Sequence, residues 1–141
     1  MPIDKIYHPA VLVAAALYFG LGRLWYGPFF GARWAAAVHV ANPGASVSDP
    51  VPMLVAAAMS VVIAYVVAML LHLVQGAERT VWSGISFGLF AGVGMVASAM
   101  LASGLQEGRP TVLWLIDAGY TVTGCMLIGA VVGGWKRSHV L

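Results

Sequence analysis

The sequence has a single cysteine, Cys125, so no disulfide can close within the chain. Mid-span, this residue reads as a small apolar packing group. Charge is equally scarce: Asp, Glu, Lys and Arg make up 9% of the residues, with a formal net charge of +2. Soluble domains carry roughly 25% charged residues; so few charges cannot cover a globule in water. The cations form no basic stripe, and no nucleic-acid partner is expected. His8, His39, His72 and His139 stand far apart, with no HxxxH or HExxH spacing, so no metal site is expected. There is no P-loop. Gly20-Leu21-Gly22 and Gly92-Val93-Gly94 lie inside apolar runs rather than after a strand, so neither reads as a phosphate cradle, and no cofactor is expected.

What is present is apolar length. Hydrophobic residues make up 61% of the 141-residue chain, in runs long enough to cross a ~30 Å hydrocarbon core. The pattern predicts an all-α fold, an integral membrane four-helix bundle forming a single domain over residues 1–141. Its spans are expected at about 8–27, 52–74, 80–103 and 110–135, with a loop at 41–51 where Ser48 or Asp49 can cap the second span. The run from Arg109 to Trp135, with Asp117 inside it, is read as the element around which the rest is organised. The Ala14-Ala15-Ala16 triplet lies within an apolar run that continues beyond Leu21, so the first span is expected to be retained rather than cleaved as a signal. Pro28 and Gly31 are expected to end or bend it. The segment that follows, with Phe29, Phe30, Arg33 and Trp34, is too short to cross and is expected to lie in the headgroup layer.

Four spans put both ends on one side, with Lys5, Arg79, Lys136 and Arg137; Arg33 and Arg109 fall on the other. The excess of cations places both termini in the cytoplasm of a bacterial inner membrane. Trp25, Trp34 and Trp114 then fall toward the outer boundary, and Trp82 and Trp135 toward the inner one.

Three blocks carry a family resemblance: LGRLWYGPFFGARW from Leu21 to Trp34, EGRP from Glu107 to Pro110, and LIDAGY from Leu115 to Tyr120. On these blocks the chain resembles the bacterial membrane family called domain of unknown function 1761. The resemblance covers nearly the whole chain and is most specific in the first block. It implies a small four-span membrane protein and brings no established activity and no catalytic residues.

The residues themselves suggest a site. An acid within a span is costly and needs a partner. Helix rise puts Arg23 ~7 Å, and Asp117 ~10 Å, below the outer ends of their helices. Opposite charges at one depth are expected to pair, directly or across one water, with Tyr26 or Tyr120 completing the hydrogen bonds. Tyr120 and Thr121, three and four residues after Asp117, share its face. The expected outward pocket therefore contains Arg23, Tyr26, Ser98, Glu107, Asp117 and Tyr120. The plainer reading of the pair is structural: a buried ion pair fixing helix register, or Arg23 reaching to the headgroups. Glu107 and Arg109 read as a loop pair.

Three functions are compatible. In the first, the protein is a binding or accessory protein, packing into homo-oligomers or a larger membrane complex through Gly84, Gly88 and Gly92, a small-residue face at spacing four. In the second it is an isomerase or hydrolase on a lipophilic small molecule, with Asp117 as general acid or base and Tyr120 or Arg23 stabilising negative charge. In the third it is a dimeric carrier titrating at Asp117. The near absence of polar residues in the inner halves of the spans weighs against the third.

Overall fold

The computed structural model describes residues 6–41 and 50–135. Most of the 41–51 loop, with Ser48 and Asp49, lies outside the described residues, as do Lys5, Lys136, Arg137 and His139. Among the described residues the fold is all helical: α1 (His8–Leu24), α2 (Gly31–Ala41), α3 (Pro50–Gln75), α4 (Val81–Ala91), α5 (Ser98–Gln106) and α6 (Thr111–Gly134). Four continuous helical stretches are long and apolar enough to cross a membrane: 8–29, 50–78, 81–106 and 111–134.

Local chemistry explains where these helices start and turn. Pro9 stands in the first turn of α1, where a missing N–H leaves no hydrogen bond unmade. Thr80 and Ser83 form a reciprocal capping box at the start of α4: the Ser83 N–H donates to Thr80 Oγ1 at 3.2 Å and the Thr80 N–H donates to Ser83 Oγ at 2.8 Å. The turns before α4 and α6 use Gly76 and Gly108, whose φ values of 55° and 68° favour glycine.

Pro28 does not end the first helical stretch. α1 runs on into a π-helical turn over Trp25–Phe29 that takes Pro28 inside it. The Phe30 N–H donates to the Trp25 carbonyl at 2.9 Å, a wider loop than an α-helix makes. A second π-helical turn, Gly92–Ala97, joins α4 to α5. Each such turn adds a residue and rotates the helix face beyond it by ~100°. α2 has 11 residues, too few to cross a bilayer.

α6 is the central helix. It packs against α1, α3 and α4, and it is the most buried of the four spans. The core is built from Val11, Ala14 and Tyr18 of α1, Ala64, Val67, Ala68 and Leu71 of α3, and Cys125, Ile128 and Val132 of α6. The glycine face of α4 meets α6 of the same chain. A Cβ on Gly84 would collide with the Gly129 carbonyl, and one on Gly88 with the Cys125 carbonyl. Gly92 lies against Val122, where a Cβ would stand 3.0 Å from its Cα. Small residues thus bring two backbones into direct contact, the means by which membrane helices gain dispersion energy without a hydrophobic drive. This face is used within the chain and is not left over for self-association.

Candidate binding site

Asp117 stands in the second turn of α6, and its carboxylate is held by two neutral donors. The Tyr26 hydroxyl donates to Asp117 Oδ1 at 2.6 Å, and the Trp34 indole N–H donates to the same oxygen at 3.0 Å. Tyr26 comes from the first π-helical turn and Trp34 from α2, so one side chain ties three elements together. The Tyr26 and Trp34 rings meet edge to face, with centroids 5.2 Å apart. α2 is therefore folded back onto α6 through Trp34, beyond any role at a headgroup boundary. Asp117 Oδ2 makes no hydrogen bond among the described residues.

A direct ion pair between Arg23 and Asp117 does not form; among the described residues the ion pair found is Arg109 with Glu107, at 2.6 Å on the surface. Tyr26, one turn beyond Arg23 on the same helical stretch, does reach the carboxylate, as expected of one of the two tyrosines. Arg23 Nη1 lies 3.0 Å from Met53 Sδ in the first turns of α3, a weak acceptor for a guanidinium. Residue spacing gives depth along a helix but leaves the angle around each helix axis open.

Ser98 and Glu107 also stand apart from Asp117's hydrogen bonds. The Ser98 hydroxyl donates to the Gly94 carbonyl of its own helix at 2.6 Å and the residue is exposed. The π-helical turn just before it resets the face of α5, which simple helical spacing cannot anticipate. Glu107 is occupied by Arg109 in the loop between α5 and α6.

Tyr120 enters differently from its expected role. Its ring stacks on Tyr18 with centroids 4.8 Å apart, and meets Tyr26 edge to face at 5.2 Å. Its hydroxyl donates to the Tyr18 carbonyl at 3.2 Å. Tyr18, Tyr120, Tyr26 and Trp34 thus form a continuous aromatic column leading to Asp117. Gly124 makes room for it, since a Cβ there would run into the Tyr18 ring. Thr121, expected beside the carboxylate, donates to the Asp117 backbone carbonyl at 3.0 Å.

The tryptophans at this end act as hydrogen-bonded staples. The Trp25 indole donates to the Ile116 carbonyl at 3.0 Å, and the Trp114 indole donates to the Ala97 carbonyl at 2.9 Å, at the end of the second π-helical turn. An indole N–H is a donor only, and a helix carbonyl has a second lone pair with which to accept it. Aromatic-belt reasoning does not anticipate these hydrogen-bond partners. The signal was available: an indole N–H that is not exposed to water needs an acceptor.

Two clefts flank the clamp. One, of about 500 Å³, opens between α1, α2 and α3 and is lined by Phe19, Arg23, Tyr26, Trp34, Met53 and Tyr120 among others. Its lining holds one formal charge, Arg23, and no carboxylate. Gly27 also lines it, and a Cβ there would meet no atom within 4 Å. The other, of about 80 Å³, lies between α5 and α6 and reaches Asp117 past Arg109, Ser103 and Trp114. Among the described residues no group of three or more His, Cys, Asp or Glu is placed to hold a metal ion.

The comparison with known proteins gives a family and one named relative. The chain is 33% identical over 105 residues to an undecaprenyl-diphosphatase of Trichlorobacter lovleyi (strain ATCC BAA-1151 / DSM 17278 / SZ), an alignment covering 67% of this chain and 38% of that protein. The chain thus spans well under half the length of the relative it matches. No solved structure matches it. The family described as "Protein of unknown function (DUF1761)" matches residues 9–133, within which lie all three of the sequence blocks noted above, and the chain belongs to that family.

Proposed function

We propose that the protein is a membrane-embedded binding protein that holds a lipophilic small molecule in the cleft between α1, α2 and α3. The observation that carries this reading is the cleft itself. It has about 500 Å³ of space, walled by Phe19, Tyr26, Trp34 and Tyr120, with Arg23 beside Met53. An apolar, aromatic pocket with very few polar groups is the usual form of a small-molecule site. The Asp117 clamp serves as the cleft's frame: it fixes Tyr26 and Trp34, two of the walls. Packing into homo-oligomers or a larger complex loses its motivation, because the α4 glycines contact α6.

Mass spectrometry of the detergent-purified protein tests this reading. Wild type is expected to retain a lipophilic molecule that Gly27→Leu and Ala56→Leu, both filling the cleft, release. If both variants fold and retain the same molecule as wild type, the cleft is not its site.

A second reading is favoured by the relative's name. A hydrolase of polyprenyl diphosphates would use Asp117 as general acid or base with Tyr26 linking it to the cleft. It predicts phosphate release from undecaprenyl diphosphate that Asp117→Asn abolishes. Binding of the lipid without phosphate release supports the first reading over this one.

A further inference from the structure

Resting on the proposed cleft, the structure assigns its ligand a chemical class: we infer that the bound molecule is a lipid phosphate whose anionic head meets Arg23. Arg23 lies within the first membrane-crossing stretch and is exposed in the cleft. A charge at such a position is costly unless it is paired or reaches water. Among the described residues it has no carboxylate partner, and its hydrogen bond is to a thioether sulfur, Met53 Sδ, at 3.0 Å. The charge that depth suggested for it, Asp117, is taken by Tyr26 and Trp34. Among the described residues the guanidinium is thus the cleft's one charge and has no anionic partner, and its remaining N–H groups form a fork suited to phosphate oxygens.

The rest of the cleft selects for the lipid. Phe19, Tyr26 and Tyr120 present ring surface and Met53 an adaptable thioether, which suit a slender hydrocarbon chain. These walls offer a free phosphate ion nothing beyond Arg23. Charge complementarity thus fixes the head, and the aromatic wall fixes the tail.

The test measures binding of three probes to the purified full chain in lipid nanodiscs: farnesyl phosphate, farnesol and inorganic phosphate. Wild type is expected to bind farnesyl phosphate about tenfold or more tightly than farnesol, the size of one charge-assisted interaction. Arg23→Gln is expected to remove that preference while leaving farnesol binding unchanged. Inorganic phosphate is expected to bind far more weakly than the lipid phosphate. Equal binding of farnesol and farnesyl phosphate, or a preference that survives Arg23→Gln, overturns this inference yet leaves the cleft standing as an apolar site. Inorganic phosphate binding as tightly as farnesyl phosphate overturns the lipid assignment. If neither isoprenoid binds wild type, or Gly27→Leu binds both as wild type does, the cleft reading itself fails.

Discussion

The Tyr26 hydroxyl donates to Asp117 Oδ1 at 2.6 Å, while Arg23, one turn earlier in the same helical stretch, leaves that carboxylate alone. The acid in the last span is thus stabilised by neutral donors, and the cation in the first span faces a cleft. On the reading proposed above, this separation makes Asp117 a positioning group and Arg23 a recognition group.

Stability measurements distinguish the two roles. Asp117→Leu leaves the Tyr26 and Trp34 donors without their acceptor and is expected to cost about 2–5 kcal/mol. Asp117→Asn keeps an oxygen in place and is expected to cost about 1 kcal/mol. Arg23→Ala is expected to change stability by less than about 0.5 kcal/mol. Chemical or thermal unfolding in mild detergent checks all three. A loss of about 3–5 kcal/mol on Arg23→Ala would indicate a buried ion pair.

The α4–α6 contact gives a second prediction. Gly88→Ala places a methyl group against the Cys125 carbonyl, backbone against backbone, where nothing flexible can yield. It is expected to destabilise the fold by more than about 2 kcal/mol, at the upper end for overpacking. Unfolding and light scattering are read together. A change of oligomeric state at unaltered stability would put this face at a subunit interface instead.

Much of this architecture was legible in the sequence. Apolar run length identified the four crossing stretches, because the bilayer imposes its thickness directly on the chain. The spacing of Gly84, Gly88 and Gly92 identified a packing face, though not which helix would meet it. The Arg23–Asp117 pairing failed because residue spacing gives depth but not azimuth. Ser98 was misplaced because the π-helical turn at Gly92–Ala97 rotates everything after it, and no residue type announces that rotation. The Trp34 hydrogen bond to Asp117 was not legible, because a short amphipathic segment and a helix returning onto the bundle share one composition.

The second π-helical turn carries its own prediction. The Trp114 indole donates to the Ala97 carbonyl, at the end of that turn, at 2.9 Å. Trp114→Phe keeps most of the ring and removes the donor, so a loss of about 1 kcal/mol is expected. Hydrogen exchange should rise locally in residues 92–101. Unchanged exchange there would show that the staple does not hold the turn.

The loop pair should matter little. Glu107 and Arg109 side chains are 52% and 53% exposed, and exposed pairs are typically worth under about 1 kcal/mol. Glu107→Gln is expected to leave stability unchanged within error and to leave ligand binding intact. A marked loss of binding would place Glu107 in the site.

The central claim, a ligand cleft beside Arg23, is tested most directly by an experimental density map of the protein in lipid. The account predicts elongated non-protein density along Phe19, Tyr26 and Tyr120, with its strong end within hydrogen-bonding distance of the Arg23 guanidinium. A cleft closed by side chains, with Arg23 paired to a protein carboxylate, would contradict it.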